Sequence, residues 1–338
     1  MTRLLDVKNL KVSFLIPAGE VQAVRGVTFS LEKGESVAIV GESGCGKSVT
    51  AHAIMRLLQS PPAVIRDGSV LLEGRNLLDL TEKEMQKLRG NEIGMIFQDP
   101  MTSLNPTMKV GKQIAEGVKL HMNVNEKEAK RRALDMENLV GFPNPERRYN
   151  QYPHEFSGGM RQRAMIAMSL ACEPKVLIAD EPTTALDVTI QAQILELMKD
   201  IQKRLDTAII LITHDLGIVA DVCHRVMVMY AGKIVESGSI EDIYQYPEHP
   251  YTWGLLKSVP RLDSQERHRL VPIPGQPPDL IKPPVGCAFM PRCKYALKVC
   301  VEHDPPNFQA ADGHQAACWL LHPDAQAARE AVGLEARS

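Results

Sequence analysis

Long hydrophobic runs are missing from this chain. Spanning a bilayer takes roughly 20 apolar residues, and the longest apolar stretches here, such as Ile209–Ile212, have only strand length. Excess charge is missing too. A net charge of −2 gives no basic field, which weakens readings that need nucleic acid. The opening residues Met1, Thr2, Arg3 and Leu4 lack the basic-then-apolar pattern of a secretory signal. The expectation is a chain kept in the cytosol that works at a membrane only by docking onto another subunit. There is no internal repeat, no heptad run and no C-x-x-C pair. The last absence removes the zinc-ribbon pattern.

What is present is 338 residues of ordinary composition, 44% hydrophobic and 24% charged, enough for a sizeable core. Leu10, Val12 and Phe14 alternate with Lys11 and Ser13, a half-buried strand pattern. Ser36–Val40 reads as a short strand, followed by a glycine-rich turn and a helix over about 47–58. Gly68–Gly74 and Glu92–Phe97 read as further strands. The stretch 111–149 is helical and polar, and its basic cluster of Lys127, Lys130, Arg131 and Arg132 reads first as a solvated face. Beyond Ser157 the order is helix, strand (176–179), helix (188–204), strand (207–212), short helix, strand (225–230). That alternation predicts an α/β fold with a mostly parallel sheet covered on both faces. Past Pro247 prolines crowd in, so regular elements should be short. The last dozen residues read as a weak helix or a frayed tail.

Gly41-Glu42-Ser43-Gly44-Cys45-Gly46-Lys47-Ser48 fits G-x-x-x-x-G-K-[ST]. Glycines let successive backbone N–H groups turn inward around phosphates, and the helix that starts here points its positive end at the same anion. Lys47 adds a full charge, and Ser48 offers a hydroxyl to Mg²⁺. The ATP set of this loop is Gly41, Ser43, Gly44, Cys45, Gly46, Lys47, Ser48 and Val49. A thiol at Cys45 reads as incidental rather than catalytic. Alone, the motif says only that a nucleotide is bound.

Val176-Leu177-Ile178-Ala179-Asp180-Glu181 is an apolar strand ending in two carboxylates. Asp180 is placed to hold Mg²⁺ and Glu181 to deprotonate an attacking water, at the strand tip where parallel sheets carry ligands. The bland alternative is an acidic strand end before Pro182. Ser157-Gly158-Gly159 opens a helix with an N-cap serine and room for an anion. A second phosphate-binding helix start in one chain makes sense if it serves the nucleotide of another copy.

The loop at 41–48, Gln98, Ser157-Gly158-Gly159, Asp180-Glu181, Ala185-Leu186-Asp187 and His214 stand in an order and spacing that resemble ABC ATPases, over roughly residues 1–250. The resemblance implies a P-loop NTPase core with an antiparallel β subdomain and a helical subdomain at about 99–171. It implies head-to-tail pairing of two such domains. It implies catalytic roles for Lys47, Gln98, Glu181 and His214, with Gln98 sensing the γ-phosphate and Mg²⁺. Asp187 would lie at the dimer seam and Phe14 would stack on adenine; Phe14 also fits a core aromatic. One departure is Met160, where the family signature has glutamine. It points to a related, non-identical partner ATPase.

Longer stretches are similar to the peptide-uptake ATPases: Phe97–Pro106, Tyr152–Phe156 and His249–Thr252. That resemblance implies an importer of oligopeptides or dipeptides, with two membrane permease subunits, a second ATPase and an extracytoplasmic binding protein. Residues just after Gln98 would face a permease helix. Relatives that import nickel or other small solutes share much of this sequence, so solute choice stays open. A soluble ABC ATPase of repair or translation is the rival; the single phosphate loop and missing coiled coil speak against it.

Four of the seven cysteines cluster as Cys287-x5-Cys293-x6-Cys300-x17-Cys318 in a proline-rich appendage over 251–338. In a reducing compartment this reads as a four-thiolate site for Zn²⁺ or an iron–sulfur cluster, or as buried free thiols. The resemblance to peptide-uptake ATPases implies a structural [4Fe–4S] cluster.

Overall fold

The computed structural model describes residues 3–184, 186–258 and 272–331. Ala185, one of the motif residues, and 332–338 of the C-terminal tail lie outside the described residues. The chain divides into two compact units. One is built mainly from Asn76–Ile212; the other combines Leu5–Ser30, Val37–Arg75 and the chain from Thr213 onward.

At the centre of the first unit run three parallel strands, Ile93–Ile96, Val176–Asp180 and Ala208–Thr213, with Ile93 opposite Val176 and Val176 opposite Ala208. Every residue of these strands is buried. Near-continuous apolar runs are what a parallel strand covered on both faces requires. Helices Val110–Met122, Glu126–Leu139, Pro145–Tyr149 and Gly158–Leu170 make up the polar insert seen in the sequence. Val110, Ile114 and Val118 are buried at helical spacing on the first of these helices, and Ala129, Ala133 and Met136 on the second. Helix Val188–Leu205 starts at Asp187, whose side chain accepts the Ile190 N–H at 2.9 Å, and buries Ile194, Leu197, Met198 and Ile201.

Glu137 breaks the apolar pattern of its helix. Its side chain is fully buried, and neither carboxylate oxygen has a partner among the described residues. Burial pushes its pKa up to about 8. Between the unfolded value near 4.5 and about 8 the folded chain holds a proton that the unfolded chain has released. Stability should therefore fall as pH rises through that window. The variant Glu137→Met is expected to flatten this slope and to be more stable than the parent at pH 8, by roughly 1–3 kcal/mol. Denaturant midpoints at pH 5 and pH 8 check it; parallel pH profiles for the two proteins would refute it.

In the second unit, Arg3–Ile16 pairs antiparallel with Ala63–Leu72, and Gly19–Glu32 flanks it. A separate run of strands begins with Ser36–Val40, parallel to Arg225–Tyr230. It continues antiparallel through Lys233–Ser239 to His314–Ala316 and Phe308–Ala311. The last three strands were not anticipated from the sequence. Their polar and glycine residues (Lys233, Glu236, Gly238, His314, Gln315) dilute the alternation that marks a strand.

A buried polar knot ties the end of the chain to this sheet. Glu236 accepts the N–H groups of Glu248 (2.7 Å) and His249 (3.0 Å) and lies 2.8 Å from Nε2 of His314. Burial holds the His249 imidazole down to about 4, so it is neutral at physiological pH. Arg329 closes the knot on both oxygens of Glu248, at 2.9 and 3.0 Å.

Candidate functional site

The phosphate loop leaves the fully buried strand Ser36–Val40 and enters helix Lys47–Ile54. Gly41, Gly44 and Gly46 have φ of +155°, +77° and +106°. A Cβ on Gly41 would stand 2.2 Å from the Met229 carbonyl oxygen, and one on Gly46 2.5 Å from that of Ala23. Only glycine fits both the backbone angle and the space, and the absent side chains leave the loop's amides open to a ligand. Lys47 is 5% exposed; its ammonium donates to the carbonyls of Gly41 (2.7 Å) and Glu42 (3.0 Å). The charge thus lies along the loop where phosphate oxygens would sit. Ser43 and Gly44 are exposed, while Ser48 and Val49 are half-buried on the first turn of the helix. Thr50 donates to the Gly46 carbonyl at 2.9 Å. Burial raises the Cys45 thiol above its ordinary pKa, against a smaller opposite pull from Lys47, which fits a packing role. This geometry fits a nucleoside triphosphate with its Mg²⁺.

In the same unit, Phe14 is half-buried on strand Arg3–Ile16, opposite Ala63, and stands outside the buried core. His214 is exposed just beyond strand Ala208–Thr213. Two residues far from the loop in sequence, Tyr251 and Arg292, hold it through Glu42. Glu42 receives a two-pronged ion pair from Arg292, at 2.6 and 2.9 Å, and its N–H donates to the Tyr251 hydroxyl at 2.8 Å.

In the other unit, Asp180 ends strand Val176–Asp180 and is 3% exposed, and Glu181 follows with φ +46°. Gln98, just past strand Ile93–Ile96, donates its amide to Glu181 Oε2 at 2.8 Å. Thr184, which sequence reasoning passed over, donates to the same oxygen at 2.9 Å. The Glu181 N–H reaches the Ile212 carbonyl at 2.9 Å. Two donors on one oxygen fix the carboxylate's direction. Ser157 caps helix Gly158–Leu170 by accepting the Met160 N–H at 3.4 Å. Ser157 and Gly158 are exposed, and a Cβ on Gly158 would meet nothing nearer than 3.9 Å. This helix start is open for a ligand presented from outside the chain.

Cys287, Cys293, Cys300 and Cys318 line one apolar cavity of about 20 Å³, together with Phe289, Met290 and Leu320. The Cys287 N–H donates to the Cys300 carbonyl at 2.9 Å. Burial raises the Cys287 thiol to about 11 and also raises Cys293 and Cys318. Among the described residues no group of three or more His, Cys, Asp or Glu side chains is arranged to hold a metal ion.

The family model described as "ABC transporter" matches residues 24–184, and that for "Oligopeptide/dipeptide transporter, C-terminal region" matches residues 235–300. The oligopeptide transport ATP-binding protein OppD of Bacillus subtilis (strain 168) is 62% identical over 96% of this chain and 91% of its own length. The dipeptide transport ATP-binding protein DppD of Lactococcus lactis subsp. cremoris (strain MG1363) is 56% identical over 96% and 92%. The chain belongs to the family of ABC transport ATP-binding proteins. Among solved structures, the dimeric post-hydrolysis state of the ATP-binding cassette MJ0796 bound to ADP and Pi is similar at 26% identity and a TM-score of 0.63. It covers 70% of this chain and 98% of that one. As an ABC ATPase the chain hydrolyses ATP with Mg²⁺ in the service of transport. No helix among its described residues is long and apolar enough to cross a membrane, and the transporter's permease subunits are its membrane partners.

Proposed function

We propose that this ABC ATPase drives uptake of oligopeptides or dipeptides from the cytoplasmic face of the cell membrane. The observation that carries the reading is the match of residues 235–300 to the C-terminal region of oligopeptide and dipeptide transporters. The chain divides into the ATPase domain at 1–250, with its helical subdomain at about 99–171, and the C-terminal extension at 251–338.

Phe14 lies under adenine, and the amides of 41–49 with Lys47 hold the phosphates. Ser48, Gln98 and Asp180 would hold Mg²⁺, which would supply positive charge to the phosphate oxygens. Glu181, directed by Gln98 and Thr184, takes a proton from water as it attacks the γ-phosphorus in line; ADP departs, and His214 steadies the γ-phosphate. Ser157, Gly158 and Gly159 complete the site of a second ATPase subunit. Val188, 82% exposed beside Asp187, supplies apolar surface for that seam. Met160 lacks the amide of the usual glutamine, which favours a related, non-identical partner. Cys287, Cys293, Cys300 and Cys318, which line one cavity, would hold a [4Fe–4S] cluster, with Zn²⁺ as the alternative; the resemblance to peptide-uptake ATPases supports the cluster. Such a cluster cross-links a module whose regular elements are too short to fold alone.

Gentle solubilisation of membranes carrying the tagged chain tests the reading. Two multi-span proteins, a second ATPase and a peptide-binding protein should come with it. A soluble complex without membrane proteins would overturn it.

A further inference from the structure

Arg292 sits one residue before Cys293, 250 positions from the phosphate-loop residue it grips. Its side chain is 4% exposed, against 27% for Glu42. Every arm of the guanidinium is engaged. Nη1 and Nη2 take the two oxygens of Glu42, and Nη1 also approaches the Tyr230 hydroxyl at 3.3 Å. Nε donates to Pro274 O at 2.9 Å and Nη2 to Ile273 O at 3.2 Å. The guanidinium stands over the rings of Tyr230 and Phe289, at 5.8 and 5.9 Å from their centroids. Tyr251 is fully buried against the same two rings, and its hydroxyl accepts the Glu42 N–H. The Glu42 carbonyl in turn accepts from Lys47.

Nothing in phosphate binding calls for a carboxylate at Glu42, since an anion there opposes the incoming phosphates. Its two oxygens instead point to a cation in the C-terminal module. A two-pronged arginine–carboxylate pair fixes direction as well as distance. Clamping the side chain and the N–H of one residue in a flexible glycine loop fixes the peptide planes on either side of it. Each of these planes carries a carbonyl that Lys47 touches.

We propose that Arg292 and Tyr251 are positioning residues for the phosphate loop, through which the cysteine-bearing C-terminal module sets how tightly the loop holds ATP. The module is then a brace on the nucleotide site as well as an appendage. The proposal rests on ATP binding at the loop and is independent of the transported solute. Binding and bracing are linked reciprocally: MgATP must stiffen the module as much as the module favours MgATP.

The test uses the full chain, with MgATP affinity measured by calorimetry beside melting without nucleotide. Arg292→Met and Glu42→Gln are each expected to weaken MgATP about tenfold, a typical coupling between linked sites. In the double variant the losses should not add. Arg292→Lys should recover part of the loss, because it restores the charge but not the fork. Tyr251→Phe keeps the ring packing and should weaken MgATP on its own, which keeps the test open if Arg292→Met fails to fold. In the assembled ATPase the loss should fall on KM more than on kcat. MgATP should slow amide exchange over 287–302 in the parent and less so in Arg292→Lys. Variants that melt earlier yet bind MgATP as the parent does would reduce the pair to a structural staple and overturn the proposal. A parent chain that fails to bind MgATP would overturn the nucleotide reading itself, and this proposal with it.

Discussion

Replacing Glu181 with glutamine is expected to cut ATP hydrolysis by ~10²–10⁴-fold while MgATP still binds. Glutamine has the same shape and keeps an oxygen to accept from Gln98 and Thr184, which lie 2.8 and 2.9 Å from Glu181 Oε2. What it loses is the capacity to take a proton from water. The backbone supports the assignment. At φ +46° Glu181 is in a region that non-glycine residues avoid, at a cost of about 1–3 kcal/mol. That conformation is held by its N–H on the Ile212 carbonyl and turns the side chain out of line with the buried strand that carries Asp180. Phosphate release at saturating ATP, beside a binding measurement, separates the two effects. A variant that turns over at the parent rate would remove Glu181 from the role of base. One that fails to bind MgATP would show that the carboxylate holds the metal instead.

The parts of this site that sequence revealed are those made by neighbours along the chain. The loop at 41–48 is legible because one strand, three glycines, a lysine and a helix start within eight residues specify one geometry. The strand ending in Asp180 and Glu181 is legible for the same reason, and so are the main helices and the parallel strands. Pairings across long separations leave no local trace. Gln98 is 83 residues from Glu181, and only family resemblance linked them. Thr184 has no motif to announce it. Nothing along the chain links Glu42 to Arg292, 250 residues away, until the fold brings them together and buries the arginine. The strands Phe308–Ala311 and His314–Ala316 were hidden by proline-rich surroundings and by length. Three or four residues are too few for alternation to register.

Cys287→Ser or Cys318→Ser should strip the C-terminal module of its iron and unfold it, with the largest stability loss expected of any single change here. The module's own regular structure is sparse. Between residues 287 and 331 its regular elements run three to six residues each. The Cys287 and Cys300 backbones approach so closely that a Cβ on Gly286 would lie 2.2 Å from the Cys300 carbonyl oxygen. Serine supplies no thiolate, and three remaining ligands leave the assembly open to water. Metal-organised modules of this size derive folding free energy on the order of 10 kcal/mol from their ligands, so losing the group is expected to cost most of the module's order. The damage should then spread to the nucleotide site, because Arg292 is carried by the same turn as Cys293. Iron, sulfide and zinc determined after anaerobic purification, with calorimetric melting, check the expectation. Four irons and four sulfides per parent chain, absent from the variants, would support the cluster. Stoichiometric zinc would replace it with a zinc site. A parent chain free of both metals, melting as the variants do, would leave the four cysteines as plain buried thiols.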